Sequence, residues 1–147
     1  MRVTVRSITE GVDEVEIRCH SRNEEVNSII KYIEQRQKKL MGSKEKEQFW
    51  IDPSEVLYLE SVDNNTYLYT KEQVLKTPYT LLEISCQFPE CGFFRCSKSM
   101  ILNLYQIRSL TSLTGNRIDA LMENGEHVLI SRRYAKELRN VLKEGLS

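Results

Sequence analysis

The sequence predicts a mainly β domain with short helices, an α+β class, preceded by a small ββα appendage. Three observations predict it. Apolar residues recur at every second position through most of residues 49–130. Two tight-turn sequences, Asp63-Asn64-Asn65 and Asn124-Gly125, divide that stretch into hairpins. Helical spacing is confined to a stripe at Val26, Ile29, Ile30 and Ile33, a short run at 80–84 and the last segment after Ser131.

In chain order, the appendage covers residues 1–46. Val3, Val5 and Ile8 alternate as a strand with one apolar face, and the run Val15–Cys19 has the same period. Gly11 and Asp13 mark the turn between them. Ser21 or Asn23 caps the helix that follows, and Glu24 and Glu25 in its first turn favour the macrodipole. Leu40 extends the apolar stripe, and the polar run 42–47 reads as a linker.

Residues 47–147 make the second unit. Phe49–Ile51 is a short strand, Asp52–Glu55 a turn or single helical turn, and Val56–Ser61 the clearest strand of the chain. The chain returns through Thr66–Thr70, and Val74–Thr77 follows a further turn. Thr80–Ile84 is a short helix, after which Pro89 and Gly92 break the chain before Phe93. A second meander runs through Gln106–Leu113, Arg117–Met122 and Val128–Ile130. Ser131 caps the last helix, in which Tyr134, Leu138 and Leu142 share a face.

Composition narrows the function classes. With 147 residues the chain is long enough to bury a real core. No run approaches the roughly 18 apolar residues that span a bilayer, and the opening segment lacks a signal-peptide h-region, so a cytoplasmic location is expected. Net charge is zero overall, yet residues 95–147 carry 9 Lys/Arg against 5 Asp/Glu. That half has the polarity a polyanion needs, although total charge gives no help. Cys86, Cys91 and Cys96 recur every five residues, a spacing that matches no paired zinc module; reduced, partly buried thiols are expected, with no metal and no cofactor. A phosphate loop, a nucleophile elbow and a metal-spaced His/Asp/Glu set are all missing, so neither an enzyme nor a small-molecule substrate is expected.

Two small basic and polar steps stand out. One is Arg95, Ser97 and Lys98 within FFRCSKSMILN (93–103); the other is Ser131-Arg132-Arg133. Clusters of this kind at the ends of rigid apolar elements meet phosphates and base edges. Arg133 offers a planar fork that takes guanine O6 and N7 together, which makes it the candidate base reader. Lys98 is a point charge suited to a phosphate or a guanine edge. Ser131 opens a helix whose first N–H groups also suit phosphate. Asn64 and Asn65 reach adenine or sugar, or simply satisfy a tight turn. Arg95 touches DNA, faces solvent or pairs with a sheet carboxylate such as Glu60. Asn103, inside an apolar run, reads as a buried residue bonded to backbone. Tyr58, Tyr67 and Tyr69 read as cross-strand packing, and Arg108 and Arg117 as further phosphate candidates.

These motifs carry a resemblance. Residues 49–144 resemble the LytTR DNA-binding domain of bacterial transcription regulators, in its compact form without a receiver domain. The resemblance rests on IDPSEVLYLESVDNNTYLYT, TLLEI, FFRCSKSMILNLYQIRSL and MENGEHVLISRRY, in that order. It implies stacked antiparallel sheets and a sequence-specific transcriptional regulator that reads double-stranded DNA with loops. On this chain the loops correspond to Asn64-Asn65-Thr66, Ser97-Lys98 after Arg95, and Ser131-Arg132-Arg133. Family members often have His where Ser97 stands and His or Arg near Thr66. Repeated half-sites and a homodimer, with residues 1–46 in self-association or regulation, are expected, and the compact form implies a membrane-protein regulator. The rival reading is a protein-interaction module without specific DNA binding, built on the Ile29/Ile30/Ile33 stripe.

Overall fold

Period-two segments pair into two antiparallel sheets in the computed structural model, which describes residues 1–36, 38–89 and 91–144. Helix α1 (Glu24–Arg36) is followed by β1 (Leu40–Lys44), β2 (Glu47–Ile51), β3 (Tyr58–Val62), β4 (Asn65–Tyr69) and β5 (Val74–Thr77). Helix α2 (Leu81–Gln87) leads to β6 (Phe93–Ser97), β7 (Met100–Asn103), β8 (Ile107–Ser112), β9 (Ile118–Met122), β10 (His127–Ile130) and α3 (Arg132–Glu144). Seven strands form one sheet in the order β2-β1-β5-β4-β3-β7-β6, and β10-β9-β8 form a second.

Two cores result. On one face of the large sheet, Tyr58, Phe94, Cys96 and Leu102 pack against Ile118, Ala120, Met122, Val128 and Ile130 of the small sheet and Ala135 and Leu138 of α3. On the other face, Leu40, Leu59, Leu68, Leu75 and Ile101 pack against Leu81, Ile84 and Phe88 around α2. Thr80 starts α2 with a reciprocal capping box, accepting from the Glu83 N–H while Glu83 accepts from its own.

The expectations for the first 46 residues need three corrections. Asn23 does cap α1, its Oδ1 accepting from the Val26 N–H at 3.0 Å. The two strands before it do not form: residues 1–23 carry no strand, with bends at 9–11 and 20–21. The run 42–47 is not a linker. It closes the β1–β2 hairpin, with Glu45 at φ 56°, and Ser43 pairs with Lys76 of β5. Leu40 accordingly belongs to the second core and does not continue the α1 stripe.

Gly42 shows why polar composition misleads there. A Cβ at this position would lie 2.8 Å from Leu75 Cβ and 2.9 Å from its Cδ1, so hydrogen is what lets β5 pack. Gly42→Val is expected to cost about 1–3 kcal/mol by overpacking, read as a lower urea midpoint with unchanged slope; an unaltered midpoint would mean that Leu75 has room to move. In α3, Tyr134 and Leu138 face the core as expected, joined by Ala135 and Val141, whereas Leu142 stays 37% exposed and Val141 takes its place.

Candidate nucleic-acid interface

The β3–β4 turn is a two-residue type I′ turn. Asp63 and Asn64 both adopt left-handed φ, 51° and 64°, which short polar side chains tolerate and which matches the twist of the flanking strands. Asn65 stabilises it by donating from Nδ2 to the Asp63 carbonyl at 3.3 Å. Because the turn ends at Asn65, Thr66 is already inside β4, paired with Ser61 and Thr77 on its neighbours. It shares the parity of Leu68 and is buried, so its side chain is withdrawn from the loop tip.

The β6–β7 turn sits at the same end of the sheet. The Ser61 N–H on β3 donates to the Ser99 carbonyl at 2.8 Å, locking the two turns together. Arg95 braces this second turn from below. Its Nε donates to the Ser97 carbonyl at 3.0 Å and its Nη2 to that of Lys98. Arg95 thus braces the turn that carries Lys98, and the expected pairing with Glu60 is not formed. Ser97 Oγ accepts from the Ser99 N–H at 3.3 Å and is half-buried, while Lys98 is exposed.

The third loop is tied to the second by a bulge. Pairing between β6 and β7 slips between Arg95 and Ser97, leaving Cys96 as the extra residue. Its carbonyl accepts from the Ser131 N–H at 3.2 Å and faces the Ser131 hydroxyl at 3.4 Å. Ser131 therefore docks the start of α3 on β6, and its own carbonyl accepts from Tyr134 and Ala135 in the first turn. Arg132 and Arg133 project into solvent, with the Arg133 guanidinium carbon 5.5 Å from the centre of the Tyr134 ring. No spacing in the sequence points to the Ser61–Ser99 or Cys96–Ser131 links, because both join residues far apart in the chain.

The remaining candidates have partners within the fold. Asn103 is fully buried and bonded to backbone on both sides of its amide. Tyr58 and Tyr69 stack with ring centres 4.3 Å apart. Their hydroxyls donate to Glu126 at 2.8 Å and Glu60 at 3.2 Å, so Glu60 is partnered by a tyrosine and not by Arg95. Burial, reinforced by the Glu126 carboxylate, raises the Tyr58 hydroxyl well above its ordinary range. Burial also pushes the Cys96 thiol up to about 12, which keeps it protonated and unreactive. Cys91 lies in the other core, so the two thiols do not converge. Arg108 is held by Glu123 at 3.6 Å, and Arg117 by the Thr114 carbonyl at 3.3 Å.

One sheet end thus presents a rigid I′ tip, Lys98, and the Arg132–Arg133 pair at the start of a helix. The family profile of the LytTr DNA-binding domain matches residues 46–143. The chain belongs to the LytTR family. Uncharacterized HTH-type transcriptional regulators of Staphylococcus aureus, from strains NCTC 8325 and COL, are 30% identical over 130 residues, spanning 87% of this chain and 88% of theirs. A solved LytTr DNA-binding domain, from a Bacillus cereus protein described as a methyl-accepting/DNA response regulator, superposes with a TM-score of 0.68 at 30% identity. It covers 71% of this chain and 96% of that one. The LytTR fold expected from the motifs is therefore the fold present. Among the described residues, no two helices follow one another without an intervening strand, so a helix–turn–helix is not part of this domain. No helix is long and apolar enough to cross a membrane.

Proposed function

We propose that this protein is a sequence-specific transcriptional regulator that reads duplex DNA with the three joined loops, without catalysis and without a small-molecule substrate. The observation that carries the reading is the pair of backbone ties, Ser61 to Ser99 and Ser131 to Cys96, which hold three sequence-distant loops on one edge. Arg133 reads a base edge, Lys98 and Arg132 hold phosphates, and Ser97, Ser131 and Asn65 set the loop shapes, with their polar atoms near the backbone of the duplex. Arg95 acts through the Lys98 turn. Two copies bind repeated half-sites in the cytoplasm, and residues 1–36, ahead of the sheet, supply self-association or regulation; an input from a membrane protein rests on the compact-form resemblance alone.

Selecting random duplex DNA on the purified protein tests the reading. A recovered motif, repeated at a spacing near one helical turn, about 10 base pairs, is the expected result. No motif, with no binding even at low salt, would leave the interaction module in its place. Lys98→Ala is expected to weaken specific and random DNA alike and to flatten the log–log salt dependence by roughly one unit. A slope that does not change would remove Lys98 from the phosphate.

A further inference from the structure

Residues 1–23 hold most of what this chain leaves unburied without a stated use. Val3, Val5, Val12 and Val15 are 86%, 87%, 79% and 68% exposed, a density of bare valine found nowhere else among the described residues. Scattered surface apolar residues need no explanation, but a run of them in one segment does. The segment also has strand chemistry. Val3 and Val5 share one parity, with Arg2, Thr4 and Arg6 on the other; Val15, Ile17 and Cys19 share one parity, with Glu14, Glu16 and Arg18 on the other. Gly11, at φ 93°, supplies a bend between the halves. Everything required for a two-stranded ribbon is present, yet the halves are unpaired within one chain.

We propose that residues 2–19 are an exchange arm whose two halves pair with the complementary halves of a second copy of this chain. The first half carries Arg2 and Arg6 on its strand-like run and a single acid, Glu10, beside the bend, whereas the second carries Asp13, Glu14 and Glu16 against Arg18. Pairing first half to second half sets Arg beside Glu on the polar face, and the two-fold relation makes the same match twice. The bare backbone amides and carbonyls of both halves are a template for another chain. The apolar face of the joined arms has a cover at hand in Ile29, Ile30 and Ile33 of α1, each still partly exposed. Among the described residues the arm's ion pair is local: Arg18 Nε lies 3.5 Å from Glu16, both largely in solvent. Such a pair contributes little and is readily exchanged.

This proposal deepens the two-copy reading and rests on it, not on the assignment of the DNA-reading loops. The test is the mass of the full chain in solution by sedimentation equilibrium, with circular dichroism melting to show that the β cores are intact. The unaltered protein is expected to be a dimer that weakens as salt rises. Arg2→Glu with Arg6→Glu sets like charges across both arm junctions and is expected to weaken the dimer by on the order of tenfold or more. Glu14→Arg with Glu16→Arg is expected to do the same. An equimolar mixture of the two altered proteins is expected to recover the dimer, because each arm then meets its opposite charge only in the other chain. A mixture that stays monomeric while the four changes in one chain restore the dimer would mean a closed hairpin and would overturn strand exchange. Two altered proteins that both remain tight dimers would remove the arm from the interface and leave the two-copy reading standing. A monomeric unaltered protein would end both, with DNA selection still able to succeed.

Discussion

Arg133→Ala is expected to weaken binding to a selected DNA site by about 1–3 kcal/mol, a factor of roughly five to one hundred and fifty, and to blur discrimination at one base pair. The size follows from the bidentate fork of donors that a guanidinium presents to a base edge. Its guanidinium is exposed and lies near the Tyr134 ring, itself fixed by packing in the first core, so the fork is partly ordered before DNA arrives. Ser131 docked on Cys96 fixes the backbone from which it projects. Arg133→Lys separates charge from geometry. It keeps the cation but loses the bidentate fork, and is expected to retain affinity for random DNA while losing specific affinity. Binding measured on the selected site and on random duplex decides the matter: equal losses on both would place Arg133 on a phosphate.

Local chemistry made much of this fold legible and long-range pairing hid the rest. The I′ turn at Asp63-Asn64, the capping box at Thr80 and the tight turn at Gly125 are short-range events whose residue types state their own reasons. The tyrosine stack followed from parity across one hairpin. The β1–β2 hairpin did not, because Gly42-Ser43-Lys44 looks like solvent-exposed chain until Leu75 of β5, more than thirty residues away, claims the space above the glycine. Thr66 misses the loop tip by a single residue: a two-residue turn ends one position earlier than a looser one, and the next side chain then faces the core. Val3, Val5 and Val15 mislead in the opposite sense. Their alternation is genuine strand chemistry, but within one chain there is no strand for it to meet. At the candidate site, the basic residues are legible as types; the ties that gather them are backbone bonds, which carry no sequence signature.

Asn103→Ala is expected to be the most destabilising single change in the polar set, costing about 1–3 kcal/mol, because it takes the 2.8 Å donor from the buried Val56 carbonyl. Asn103 is fully buried at the end of β7. Its Nδ2 donates to the Val56 carbonyl at 2.8 Å and approaches the Pro53 carbonyl at 3.4 Å, while its Oδ1 accepts from the Tyr105 N–H at 3.0 Å. One amide thus joins the turn before β3 to the turn after β7, and alanine would strand the carbonyl of the fully buried Val56 where water does not reach easily. Asn103→Asp is the sharper comparison, because it keeps the shape and the acceptor but replaces the donor with an oxygen facing the Val56 carbonyl. Its ionised form is unsolvated there, so the loss should exceed that of alanine at neutral pH and shrink as acid protonates it. Urea denaturation across pH reads both. An Asn103→Ala midpoint within error of the unaltered protein would mean that water enters and bonds the freed groups, and that the two turns are held by Leu102 and Leu104 packing alone.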